Sequence, residues 1–537
     1  MRTFLRRTAL TVSALALLGA AGGAVAAGEA WAPPEPVSPE PPRVAVPADP
    51  VSAVCAGPAA LTTGEARGVD PDVDPEDVSA RAVTTVLSLP RVGGAGDGAD
   101  EGDGDAGDAE PGAAGDDGAE RGDATEPGEG SYRLLDGTST DLAAAGDVRA
   151  ATTTDPAGAG ILRIEPVGAA AAALPTGATL TRADAGDLRG LVASPCLPAA
   201  TTTWLVGGAT ELGQSAQLTL TNPGSTPAAV DVRLWTSLGV ADAPRLTGLT
   251  VAPGAQETVL LEATATDPAL ALRVTAAGGE VTATVQDLRL DGVVPAGAAT
   301  VAPAAPPART LTVPGVVLAD QPDDGPPPVV RLVNPGDRPA AARVSLLGPD
   351  GEQDVPGGEA VVLDPGAVAE VPLTGEPGTY AVAVAADQPL TAAVALTRTG
   401  KPGEIDPDTA PVDRAWTAAA APLTAGVLAV PGLDDLADGA TLALTNPGAE
   451  PVAAELRPVS ADGHLGDPVA LTVPAGSTHA VDAADLGDPA AAVLHADGDG
   501  VAAAVVLTGK AGDGQLIDAL PATADPADAR AVRVDVR

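Results

Sequence analysis

Aromatic side chains are nearly missing from this sequence: four Trp, two Tyr and one Phe in 537 residues. That scarcity argues against a deep, ring-lined ligand pocket and removes base stacking as a route to nucleic acid. Basic residues are also few, 29 Lys and Arg against 72 Asp and Glu, for a net charge of −43. A polyanion is repelled by phosphates, so DNA and RNA are excluded as partners. A basic patch on an anionic membrane is excluded for the same reason. Histidine occurs three times, at His464, His479 and His495. No histidine–glutamate metal motif surrounds these positions, and no Gly-x-Ser-x-Gly elbow occurs anywhere. The many acids leave a glycosidase-type carboxylate pair open on counting alone, but Trp204, Trp235, Trp416, Tyr132 and Tyr380 are too scattered to form a sugar platform. Trp204 and Trp235 fall in strand-like runs and are expected in the core. No catalytic residue, cofactor or metal ligand is therefore assigned, and the chain reads as non-enzymatic.

Cysteine appears only as Cys55 and Cys196, outside any Cys-x-x-Cys. An even count in an exported chain reads as a disulfide, here closing a loop for which chain entropy gives ~4–5 kcal/mol. Two buried free thiols are the alternative. Export itself is read from the start of the chain. Arg2, Arg6 and Arg7 precede an apolar run from Thr8 to Ala27, with Ala24-Val25-Ala26 as a small-x-small cleavage pattern. The run is also long enough to span a bilayer, so residues 1–27 read as a signal peptide or a membrane anchor. Either places the rest of the chain outside the cell or at its surface.

What is abundant is Ala, Gly, Pro, Val and Leu, which at 45% hydrophobic residues provide for real cores of small side chains. Residues 28–50 are proline-dense and read as a semi-rigid polyproline stalk. Residues 51–199 read as an N-terminal β domain, with Ala82–Leu89 and Ile161–Ile164 its clearest strands. Within it, Gly93–Gly130 carries thirteen acids against the single Arg121 and has no apolar face. It is expected to be a disordered insert. An EF-hand started at Asp103 fails, since Asp108 would stand at the obligatory glycine.

The strongest signal is a repeat. Asn222-Pro223-Gly224, Asn334-Pro335-Gly336 and Asn446-Pro447-Gly448 each follow an alternating apolar strand, at an identical spacing of 112 residues. A second alternating strand follows each (Ala229–Trp235, Ala341–Leu347, Val452–Val459). Then come a Pro-Gly-like turn and further strands. Period-2 alternation marks antiparallel sheets with one buried face. Asn-Pro-Gly is expected to make a type II turn, with proline presetting φ and glycine at positive φ. Short strands with turn signals every 8–12 residues predict an all-β chain of tandem antiparallel, immunoglobulin-like β-sandwich domains. The repeats occupy 200–300, 308–400 and 412–520, with a C-terminal tail at 521–537. Val301–Arg309 and Lys401–Pro411 read as linkers.

The stretches Gly186-Asp187-Leu188-Arg189-Gly190-Leu191, Ser194-Pro195-Cys196 and Trp204–Thr210 leading into Leu218–Gly224 resemble an actinobacterial family of secreted proteins known only as a domain of unknown function. Val54–Pro58 looks like that family's upstream cysteine motif, with alanine at its first proline. The resemblance implies an exported β-rich envelope protein and brings no activity, catalytic residue or ligand. The sequence thus points to a secreted or membrane-anchored envelope scaffold or adhesion module whose partner is unknown. An accessory subunit of an envelope enzyme is the alternative, and a secreted hydrolase ranks behind both.

Overall fold

A computed structural model describes residues 50–61, 80–90, 126–166, 174–319, 325–404, 406–433 and 435–525. The expected export segment, the stalk up to residue 49, the acidic insert up to residue 125 and the tail from 526 lie outside the described residues. All described residues belong to one compact unit, Pro47–Ala531. They form antiparallel strands joined by turns, with three short 3-10 turns and no α-helix among them.

Each repeat builds seven main strands. In the first they are Thr202–Val206, Gln214–Thr221, Ala228–Thr236, Gln256–Leu260, Ala271–Ala277, Thr282–Asp291 and Val294–Val301. Strands three, five and one pair side by side in one sheet, and four, two, six and seven in another. Successive strands up to the sixth alternate between the sheets. This is not the immunoglobulin order, in which the first strand pairs with the second. Both sheets face one core, where Leu218, Val230, Leu272 and Val285 meet. Trp204 and Trp235 pack there with ring centroids 5.1 Å apart. The alternation is visible in the burial of Ala228–Thr236, in which Val230, Val232 and Leu234 are buried and Asp231 and Arg233 exposed. The second repeat merges strands five and six into Gly378–Thr399. The third repeats the plan, from Ala425–Ala429 to Gly514–Pro521.

The N-terminal region is a fourth copy. Its strands are Val51–Cys55, Arg81–Leu89, Gly130–Leu134, Val148–Thr154, Gly160–Ile164, Leu174–Ala183 and Gly190–Leu197. They pair in the same 3-5-1 and 4-2-6-7 orders. The last strand serves both sheets, because its end also pairs with the first strand. There Cys55 and Cys196 stand opposite each other, Cα atoms 3.9 Å apart, and are joined by a disulfide. The acidic segment falls between strands two and three, where the other copies carry Asn-Pro-Gly. The four copies are numbered here as modules 1 to 4.

The seventh strands, Gly190–Leu197, Val294–Val301, Val412–Ala418 and Gly514–Pro521, pack around a common axis. Each touches the next in chain order, and the last touches the first. The arrangement is propeller-like. Apolar cores run across module boundaries: Val333, Ala395 and Trp416 of module 3 join the core of module 2, and Leu180 and Leu191 of module 1 join that of module 4. The described residues of the segments that read as linkers are tied into the modules. Pro303–Ala304 pairs with Thr202–Val206, and Lys401 N–H donates to Asp513 O.

Candidate functional site

The Asn-Pro-Gly positions, read as type II turns, work differently. None of Gly224, Gly336 and Gly448 has positive φ. Instead Asn222 is fully buried, and its Oδ1 accepts from Gly224 N–H at 2.9 Å in an Asx turn. Its Nδ2 donates to Thr226 O (2.8 Å) and to Val251 O (3.0 Å), the latter at the far end of the strand-four turn. Asn334 and Asn446 make the same set, to Arg338 O and Leu363 O and to Glu450 O and Val473 O. A Cβ at Gly224 would sit 3.1 Å from Asn222 Oδ1, a tight contact that the asparagine would have to yield to by a few tenths of an ångström. The positive-φ glycines are those of the next turn, Gly254, Gly366 and Gly476. The motif is therefore a buried structural plug in each repeat. His464 and His479 are exposed and His495 half-buried, on a loop, on strand four and on strand five respectively.

Chemistry-bearing side chains concentrate instead around the axis. Asp413, on the seventh strand of module 3, accepts from Ile517 N–H of module 4 (2.7 Å) and Leu191 N–H of module 1 (3.4 Å) through Oδ2. Its Oδ1 has no partner among the described residues. Burial, partly offset by those N–H groups and by Arg189, pushes its carboxyl up to about 7. Asp518 of module 4 accepts from Ala193 N–H of module 1 and is also raised, again chiefly by burial. Arg414 donates to Ala296 O of module 2 at 2.9 Å, its stem crossing Gly297 so closely that a Cβ there would lie 2.6 Å away. Burial lowers Arg414 to about 10.

The boundary between modules 2 and 3 is a second polar knot. Arg331 is fully buried and donates to the carbonyls of Gly208 (2.7 Å), Leu270 (2.9 Å) and Pro268 (3.2 Å) in module 2. It is paired with Glu370 at 2.7 Å and lies 4.8 Å above the Trp416 ring. The indole N–H of Trp416 donates to Asp287 Oδ2 at 2.9 Å. Burial alone would raise Asp287, but the charge and hydrogen bonds of Arg289 and the Trp416 bond hold it below the usual carboxylate range.

At one end of the axis, connections from all four modules line an open pocket of about 400 Å³. Its walls mix charges, with Arg189 and Lys401 against Asp184, Glu404, Asp406 and Asp513. Arg189 is buried and held in a fork by Asp513 at 2.8 and 2.6 Å. Its Nη1 has no partner among the described residues. The stretch Gly186–Leu191 thus supplies the arginine of this mouth and the start of an axial strand. Among the described residues no group of three or more His, Cys, Asp or Glu is placed to hold a metal ion. No helix among them is long and apolar enough to cross a membrane.

The axial acids were not singled out from sequence. Nothing local in the sequence marks them: Val412–Ala418 and Gly514–Pro521 are each buried on both faces, so an acid within either lacks the solvent side that alternation normally provides, and only the structure reveals it. No curated protein and no solved structure matches the chain. A family model does, over residues 150–484, more than half of the sequence and three of the four axial strands. The chain belongs to the family described as "Family of unknown function (DUF5719)".

Proposed function

We propose that this chain is an exported, non-enzymatic protein of the cell envelope, a rigid β-module scaffold that presents its rim and loops to a partner outside the cell. The carrying observation is how the buried ionisable groups are used. Asp413, Asp518, Arg414 and Arg331 direct their hydrogen bonds at the backbone of neighbouring modules. Buried polar and ionisable groups used in this way specify one arrangement of parts. A disulfide inside module 1 suits an oxidising compartment, and the strong negative charge suits solubility there. In this reading each module is a variant β-sandwich, the N-terminal apolar run directs export, and the source is an actinobacterium.

The test is fractionation of host cells, followed by cosedimentation of the chain from Ala27 onward with purified host envelope. Saturable cosedimentation that survives high salt supports the scaffold. A cytoplasmic pool with both cysteines reduced would overturn the proposal. Export without envelope binding, together with a stoichiometric enzyme captured from intact cells, would favour the accessory-subunit reading.

A further inference from the structure

Three of the four inter-module contacts are closed by apolar side chains. Module 2's core takes in Val333, Ala395 and Trp416, module 3's takes in Val506 and Ile517, and module 4's takes in Leu180 and Leu191. Between modules 1 and 2 only a small patch near the axis, including Val192 and Ala298, is apolar. Outward from it, the four-stranded sheet of module 2 presents Gln217, Thr219, Gln256, Thr284, Gln286 and Thr300 across a cavity of about 340 Å³. Register places Thr219 beside Thr284, Gln217 beside Gln286, and Gln286 beside Thr300, so the groups form a ladder. Module 1 answers with Thr179, Thr181 and Ser194. Among the described residues lining this cleft there is no ionisable and no aromatic side chain. In a chain of net charge −43 that is a marked departure.

The way the cleft recognises a ligand is already visible on one wall, where Ala56–Ala60 runs. The Gln286 amide pairs with both backbone groups of Ala60, donating to its carbonyl at 2.7 Å and accepting from its N–H at 3.1 Å. Thr181 Oγ1 accepts from Ala59 N–H at 3.0 Å, and Thr179 Oγ1 donates to Ala56 O at 2.9 Å. All four bonds go to main chain, that of Ala56, Ala59 and Ala60, in a stretch whose other residues are Gly57 and Pro58. Beside Thr179 in register, the Ser194 hydroxyl is buried and has no partner among the described residues.

We propose that the cleft between modules 1 and 2 binds an extended, uncharged peptide segment of small residues, read through its backbone by the threonine and glutamine ladder. Side-chain amides and hydroxyls both donate and accept, as peptide groups do. A charged ligand would shed water here without meeting a counter-charge. A sugar would find no ring to stack on. The volume falls within the roughly 300–1,000 Å³ of ligand sites. This inference does not depend on the chain being exported.

The test uses the full mature chain with its disulfide intact and three fluorescent probes. They are a capped Ala/Gly hexapeptide, the same peptide with two Ala replaced by Asp, and a neutral glucan oligosaccharide. Saturable binding of the first, at least about tenfold weaker binding of the other two, and a similar loss in Thr219→Val/Gln256→Leu support the site. Thr300→Val provides a second, single-site check, and a melting temperature unchanged from wild type verifies that each variant is folded. Failure of the folded protein to bind the Ala/Gly peptide overturns the proposal. So does peptide binding indifferent to both variants, equal binding of the acidic peptide, or glucan binding that the same variants abolish.

Discussion

Replacing Asp413 by Asn should stabilise the protein above neutral pH and remove part of its pH dependence. The carboxyl is fully buried and its pKa is raised from 3.8 to about 7. Between those values the folded state holds a proton that the unfolded state has released, so stability must fall as pH rises through this window. The destabilising contribution is complete above the folded pKa and absent below the unfolded one. A shift of about three units corresponds to at most ~4 kcal/mol, since each unit is ~1.4 kcal/mol. For a unit of this size, with unfolding entropy near ~1 kcal/mol per degree, that is ~4 °C in melting temperature. Asparagine keeps an oxygen for the Ile517 N–H and carries no charge to desolvate. Thermal unfolding of wild type and Asp413→Asn should therefore be followed from pH 4.5 to 8.5. The two should differ little at the acidic end and diverge toward pH 8, with the variant the more stable. Asp518, raised in the same direction, leaves a residual slope in both proteins, so the difference between them is the quantity of interest. Parallel profiles across the range would refute the assignment of a proton to Asp413.

Asn222→Ala removes two buried donor bonds and the Asx turn, and should cost ~2–4 kcal/mol by chemical denaturation. The equivalent changes at Asn334 and Asn446 should cost about as much, whereas a cost within 0.5 kcal/mol of zero would deny the plug role. Arg331→Met strips three carbonyl bonds and strands Glu370, so a loss of ~3 kcal/mol is expected. Hydrogen exchange should then quicken in both Leu270 and Trp416, on the two sides of that boundary. Reducing Cys55–Cys196, which closes a separation of 141 residues, should lower stability by up to ~4–5 kcal/mol. Because Leu180 and Leu191 share a core with Leu442 and Leu494, exchange protection should fall in module 4 as well. Protection lost only within residues 130–197 would mean that module 1 opens on its own.

Much of the fold was legible because β structure advertises itself locally. Alternation in Ala229–Trp235, Ala341–Leu347 and Val452–Val459 follows from one wet and one dry face, and all three are strands. The 112-residue spacing fixed three equivalent copies, and a cysteine count of two left one possible intramolecular pairing. The fourth copy escaped because the acidic stretch stands where Asn-Pro-Gly would mark it. The turn mechanism was misjudged because a buried asparagine side chain, held by a carbonyl 29 residues away, can replace positive φ. Strand pairing order was equally hidden, since alternation says which face is buried and not which neighbour a strand meets.

By itself, then, the sequence determined the all-β class, the repeated module and the strong negative charge, and it left Cys55 and Cys196 either paired or free. Each depends on composition, or on residues close enough along the chain to repeat a local pattern. Only the tertiary structure decided that four modules close around one axis, and that Asp413, Arg414 and Asp518 lace it. It alone also showed that the contact between modules 1 and 2 stays polar. Those outcomes depend on side chains bonding to groups more than 100 residues away in the chain, and no local period encodes such a meeting.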